Sequence, residues 1–245
     1  MGWRFADAHD VLDKPGCFAH KGRAADSLGT GHSMKREDVA VIEQTRPYDG
    51  YFKIDRYTVR HRLFEGGWSA PFTREVFERG HAVVVLLYDA DLDSLVFVEQ
   101  FRIGAHAALS SSSWWGEDFS PWLVECVAGI IDEGETPEQV ARREAMEEAN
   151  CQIHDIIPVQ RVMASPGGCS ETVFVFCGQV DASKVGGVHG IDAEHEDIRV
   201  LAVPVAEAFE WLEAERFVHS ITIIAVQWFR QRHRHLRAAW RAKVG

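Results

Sequence analysis

"GIIDEGETPEQVARREAMEEAN", residues 129–150, crowds acids at positions 132, 133, 135, 138, 144, 147 and 148 against only two arginines, Arg142 and Arg143. Thr136-Pro137-Glu138-Gln139 reads as a helix start. Thr is a favoured N-cap, Pro suits the first helical position, and Gln139 completes a capping box. The spacing predicts a helix running to about Ala149. Asn150 tolerates the left-handed conformation that ends one. Each helical residue advances about 100°, so Glu144, Glu147 and Glu148 share one narrow face. Like charges three and four apart destabilise a helix by about 0.2–0.5 kcal/mol per pair. Either water solvates this face, or a hard divalent cation held by carboxylate oxygens relieves it. Arg143 stands beside the patch and is expected to hold one carboxylate, not to neutralise three.

The flanking segments supply a sheet for that helix. "HAVVVLLYDADLDSLVFVEQFR" (81–102) reads as strand, turn, strand. The turn "DADLDS" lacks the Gly and distal Glu of a calcium loop. "WLVECVAG" (122–129) reads as one further strand, and strands are expected near 159–164, 172–180 and 198–203. Residues 204–216 and a segment from about 219 carry apolar residues at helical spacing. The end of the last helix, "RQRHRHLRAAWRAKVG", is basic. Upstream, Val39 to Phe77 alternates short β-prone pieces with turn sequences, which implies a small antiparallel sheet. Residues 106–121, with their serine run, read as a mobile loop.

Bulk properties narrow the function. The chain has 245 residues and a formal net charge of −11, which argues against general nucleic-acid binding. Its five cysteines include no Cys-x-x-Cys pair and are odd in number, so neither a disulfide framework nor a zinc site is expected. The first residues lack an apolar signal core, and no stretch approaches a membrane span. The expectation is a soluble, cytoplasmic protein.

The acidic helix belongs to a longer pattern. Gly129, five residues, Glu135, seven residues, then Arg143-Glu144-Ala145-Met146-Glu147-Glu148 follow G-x5-E-x7-R-E-U-x-E-E-x-G-U, where U is apolar. Each charged letter has roughly a one-in-twenty chance at ordinary composition. The stretch resembles the Nudix box, with Asn150 in place of the last Gly and Cys151 in the apolar slot. "FERGHAVVVLL", "VEQFR", "PWLVECVAG", "ASPGGCSE", "EHEDIRV" and "AVQWF" extend the likeness over roughly residues 45–230. In these segments the chain is similar to the bacterial ADP-ribose pyrophosphatase branch of the family.

The resemblance implies a Nudix α/β/α sandwich with a mixed sheet, plus a small N-terminal antiparallel β subdomain. It implies a Mg²⁺-dependent pyrophosphatase, with Mn²⁺ as the alternative ion, that cleaves ADP-ribose to AMP and ribose 5-phosphate. Other readings are cleavage of another nucleoside diphosphate sugar, such as GDP-mannose, or a non-catalytic Nudix-fold ligand-binding regulator.

Carried onto matching positions, the resemblance implies metal ligation by Glu144, Glu147, Glu148, Glu196 and the carbonyl of Ala128. Glu194 becomes the general base, with Glu147 the next candidate. Arg102 becomes a phosphate-binding residue, and Tyr51 and Arg74 become clasps for adenine. Gly168, in "SPGG", is expected to bring backbone close to substrate, with free amides suited to anions. In an extended loop, Glu194 and Glu196 would point the same way and His195 away. The resemblance also implies a homodimer sharing the N-terminal sheet. The expected divisions are a poorly ordered extension (1–36), the β subdomain (37–78), the Nudix domain (79–230) and a basic helix end (231–245).

Overall fold

Eleven strands and four α-helices follow one another in the computed structural model, which describes residues 34–111, 119–191 and 195–242. Of the extension expected to be poorly ordered (1–36), residues 1–33 lie outside the described residues, as do residues 112–118 of the serine-rich loop. The chain forms two compact units. Among the described residues, the first comprises 34–42 with 59–72, and the second 43–58 with those from 73 onward.

Strands β1 (Val39–Asp49), β2 (Lys53–His61) and β3 (Phe72–Glu78) form the expected three-stranded antiparallel sheet, in the order β1-β2-β3. In the first unit, a 3-10 turn at Arg36–Asp38 ends with the Asp38 carbonyl accepting from the Arg62 amide at 2.8 Å. The guanidinium carbons of Arg60 and Arg62 each lie over the Trp68 ring, 4.8 and 4.6 Å from its centroid.

The second unit is built on an eight-stranded mixed sheet. Its strands are β4 (Ala82–Asp89), β5 (Ser94–Phe101), β6 (Trp122–Glu125), β7 (Val127–Ile130), β8 (Asp155–Met163), β9 (Thr172–Gln179), β10 (Val188–His189) and β11 (Ile198–Pro204). All eight residues of β4 are buried, as expected of a strand covered on both faces. Val83, Val85 and Leu87 pack toward helix α2 (Pro137–Ala149), while Val84, Leu86 and Tyr88 pack toward α3 (Val205–Glu213) and α4 (Ser220–Arg241). The alternation is the period-two consequence of the pleat, and it produces the expected α/β/α layering.

Residues 122–130 form two strands, not one. β4 and β5 pair only near their turn, through Leu87↔Val96, Tyr88↔Leu95 and Asp89↔Ser94. Beyond it they diverge, β6 pairing with β5 and β7 with β4. The change of partner occurs at Cys126, whose amide donates to Thr222 Oγ1 at 3.1 Å instead of to a ladder. A second correction concerns the loop expected at 106–121. Helix α1 spans Ile103–Ser111, beginning where the Arg102 carbonyl accepts from the His106 amide. The alanines of "IGAHAALSS" favour the helix over the loop suggested by the serines that follow. The turn after β4 is an aspartate turn, with Asp89 Oδ1 accepting from the amides of Asp91 and Leu92 at 2.9 Å.

Candidate active site

Helix α2 begins as its sequence dictates. Thr136 accepts from the Gln139 amide, the Gln139 side chain returns to the Thr136 amide, and Asn150 ends the helix at φ 50°. The fully buried Val140, Ala141 and Ala145 pin one face to the sheet. Burying a valine contributes about 1.5–3 kcal/mol, enough to hold an acidic helix in place despite its charge. That docking carries Glu148 to 4% exposure, where its Oε2 accepts from the Ala128 amide at 3.1 Å.

Gly129 has a steric role. A Cβ at this position would lie 1.8 Å from Glu144 Oε1 and 2.1 Å from Glu144 Cδ. The missing side chain is therefore a berth for the Glu144 carboxylate. Burial pushes Glu144 up to about 7 and Glu148 up to about 8. The Arg143 charge opposes the shift at Glu144, and the Ala128 hydrogen bond opposes it at Glu148. The negative charge of Glu196 raises both groups further. Glu144 and Glu148 thus each resist ionising beside their acidic neighbours.

Arg143 does more than the sequence reading allowed. Its Nε and Nη2 take both oxygens of Glu135 at 3.0 Å, while Nη1 donates to Glu144 at 2.7 Å and to Glu147 at 2.9 Å. One guanidinium spans three carboxylates because the 131–136 loop folds Glu135 back onto the helix. Its contacts do not include Glu148.

Arg102 joins the group from the end of β5 and lowers the proton affinity of Glu148. Its Nε and Nη2 both lie 2.7 Å from Oε2 of Glu125, a carboxylate only 2% exposed. His219 Nδ1 stands 3.7 Å from Glu125 Oε1 and 3.1 Å from Thr222 Oγ1. Burial depresses the proton affinity of His219, opposed by the charge of Glu125. Glu171, also buried, pairs with Arg79 at 3.3 Å. The sequence reading assigned no role to Glu125 or to His219. A signal was available: a charged letter at the inward-facing position of an apolar strand demands a partner.

The second acidic segment is described in part. Glu194 lies outside the described residues. Glu196 Oε2 accepts from the Ile191 amide at 3.1 Å, and Gly190, at φ +116°, would clash with Glu196 if it bore a Cβ. The premise of an extended loop fails at His195, which is left-handed at φ 57°.

Tyr51 and Arg74 stand on the N-terminal segment and are exposed, Tyr51 at 84%. Tyr51 touches the Phe52 ring edge-on at 4.8 Å, and Arg74 Nη1 donates to the Thr73 carbonyl at 2.9 Å. The expected free amides of "SPGG" are partly engaged. Gly168 and Cys169 donate to the Ser165 carbonyl, and the Gly168 carbonyl accepts from Phe77. A tight turn consumes those donors.

A family model, the NUDIX domain, matches residues 78–222. The chain belongs to the Nudix family. Its Nudix relatives include the ADP-ribose pyrophosphatase of Escherichia coli K12, 42% identical over 84% of this chain and 94% of that protein. The ADP-ribose pyrophosphatase of Haemophilus influenzae is 36% identical over 85% and 93%. The GDP-mannose pyrophosphatase of Shigella flexneri is 27% identical over 80% and 97%. A solved structure titled ADP compounds hydrolase shares the fold, with a TM-score of 0.58, 18% identity and coverage of 81% of this chain and 96% of that one.

The donor chemistry of this Nudix site suits a hard divalent cation. Glu144, Glu148 and Glu196 offer carboxylate oxygens, the ligand type such cations prefer. Burial and mutual repulsion raise the proton affinity of Glu144 and Glu148, and a cation offsets both costs.

Proposed function

We propose that this Nudix enzyme hydrolyses ADP-ribose at its diphosphate, giving AMP and ribose 5-phosphate, with Mg²⁺ as the working ion and Mn²⁺ as the alternative. One observation carries the reading. Two carboxylates of one helix face, Glu144 and Glu148, are drawn into burial where both feel the charge of Glu196 and Glu148 also that of Arg102, in a chain 42% identical to an ADP-ribose pyrophosphatase. A regulator that only binds its ligand would have no need for every acid of the box.

The proposed roles are specific. Glu144, Glu147, Glu148, Glu196 and the Ala128 carbonyl hold the ion, which when bound supplies Lewis-acid polarisation and a more acidic water. Glu194 takes the proton of the attacking water. Arg102 pairs with a phosphate oxygen, and Gly168 lines the substrate path. Tyr51 and Arg74 clasp adenine, an arrangement in which ring face and guanidinium both contribute. Both side chains stand at the surface. GDP-mannose is the second reading, favoured by relatives at 27% identity.

We extend the proposal to a cytoplasmic homodimer. β1 leaves Val41, Ile42 and Tyr48 exposed, and an exposed apolar strand invites pairing. Among the described residues no helix is long and apolar enough to cross a membrane, and the net charge of −11 disfavours nucleic acid. Residues 37–78 would form the dimerising subdomain and 79–230 the catalytic one, with 1–36 an extension and 231–245 a basic helix end.

The test is a hydrolysis screen over ADP-ribose, GDP-mannose and UDP-glucose with product identification. Preference for ADP-ribose, with AMP released, supports the reading. Equal use of the three sugars defeats the adenine clasp, and a fully active monomer in light scattering defeats the shared sheet.

A further inference from the structure

Gln100 is 7% exposed, and its amide nitrogen is a buried donor without a hydrogen-bond partner. Such a group costs free energy unless some state of the protein uses it. Its place in the sheet indicates which state. Along β5 alternate residues share a face, so Val98, Gln100 and Arg102 point the same way. Val98 pairs with Glu125, and Gln100 pairs with Leu123, so Glu125 shares that face as well. Arg102 lies beyond the Phe101↔Trp122 pair, its amide bonded to the Pro121 carbonyl. Arg102 and Glu125 are therefore about four residues apart along the strands, roughly 13 Å at strand spacing. They meet at 2.7 Å only by reaching toward one another along the sheet. The position between them is that of Gln100.

We propose that Gln100 is a positioning residue that relieves Arg102 of Glu125 when Arg102 turns to a substrate phosphate. Glu125 is too buried to be left as an unpaired anion. Arg102 can leave it only if another donor replaces the guanidinium. The Gln100 amide lies on the same face, diagonal to Glu125, and has no other partner. His219 stands on the other carboxylate oxygen, with its proton affinity depressed, so it is a poor substitute for a cation. The exchange keeps Glu125 paired in both states and lowers the cost of sending Arg102 to an anion. This inference rests on the proposed phosphate role of Arg102.

The experiment compares the parent, Arg102→Ala, Gln100→Leu, Gln100→Glu and the double variant Arg102→Ala/Gln100→Leu. ADP-ribose binding is measured by calorimetry without metal, kcat and KM with Mg²⁺, and melting temperature without ligand. Gln100→Leu should weaken ADP-ribose binding by about 10-fold or more, the range for a lost hydrogen bond to a charged group. It should raise KM more than it lowers kcat, and leave the unliganded melting temperature equal or higher. Gln100→Glu, which adds an acceptor that holds Arg102 back, should weaken binding further. In the Arg102→Ala background Gln100→Leu should add little, because the two act through one exchange. If Gln100→Leu binds ADP-ribose like the parent while Arg102→Ala does not, this inference fails and the role of Arg102 stands. If Arg102→Ala also binds like the parent, both fail. A lowered melting temperature with unchanged affinity would make Gln100 a packing residue only.

Discussion

The carboxylate of Glu144 occupies the space that a side chain on Gly129 would fill, 1.8 Å from where its Cβ would stand. The glycine therefore serves the site, and the backbone there needs no unusual conformation. Gly129→Ala should expel the Glu144 side chain and spare the fold, since the clashing atoms are the far end of a flexible chain. Turnover should fall at least 10²-fold, and Mg²⁺ affinity in calorimetry should fall with it. Parental kinetics at ordinary Mg²⁺ would show that Glu144 is not a ligand.

Glu144 and Glu148 have folded-state proton affinities near 7 and 8, against about 4.3 in an unfolded chain. Between these values the folded state binds more protons than the unfolded one, so stability falls as pH rises through that window. The metal-free protein should lose melting temperature from about pH 5 to pH 8. Added Mg²⁺ should restore most of the loss at pH 8, release protons on binding, and do little near pH 5. Glu148→Gln should flatten the pH dependence, weaken Mg²⁺ binding and nearly abolish turnover. Differential scanning fluorimetry across pH, with and without Mg²⁺, measures the first effect. A flat profile in the parent would contradict the raised affinities.

Glu194 and Glu196 should part company under metal titration. A lost general base typically costs about 10²–10⁴ in rate, so Glu194→Gln should lower kcat with little change in Mg²⁺ affinity. Glu196→Gln should weaken Mg²⁺ binding, and extra Mg²⁺ should restore part of its rate. Rescue of Glu194→Gln alone would reverse the roles. If neither variant loses activity, the base lies on α2, with Glu147 the next candidate.

Asn150 adopts φ 50° at the end of α2. Asn150→Gly should match or exceed the parent in stability, because glycine takes this conformation without strain. Asn150→Ala should destabilise by about 1 kcal/mol, the cost of a left-handed conformation for an ordinary residue. Denaturant melts of the two variants test the pair. Equal midpoints would remove the conformational account of the substitution at the end of the box.

The sequence by itself determined the features written in local periodicity. Helix α2, its caps, the acids on one face and the buried run of β4 follow from spacings of two, three and four residues, whereas the α/β/α layering was legible only through the family resemblance. Tertiary structure decided the rest. Residues 122–130 divide at Cys126 because β4 and β5 diverge and each needs a partner, a fact absent from "WLVECVAG" itself. Arg143 spans three acids only because a loop returns Glu135 to the helix. Glu125 meets Arg102 across 23 residues and His219 across 94, distances over which no periodicity carries information. A buried carboxylate must find its counter-charge wherever the fold places one, and that place is set by how the strands pair.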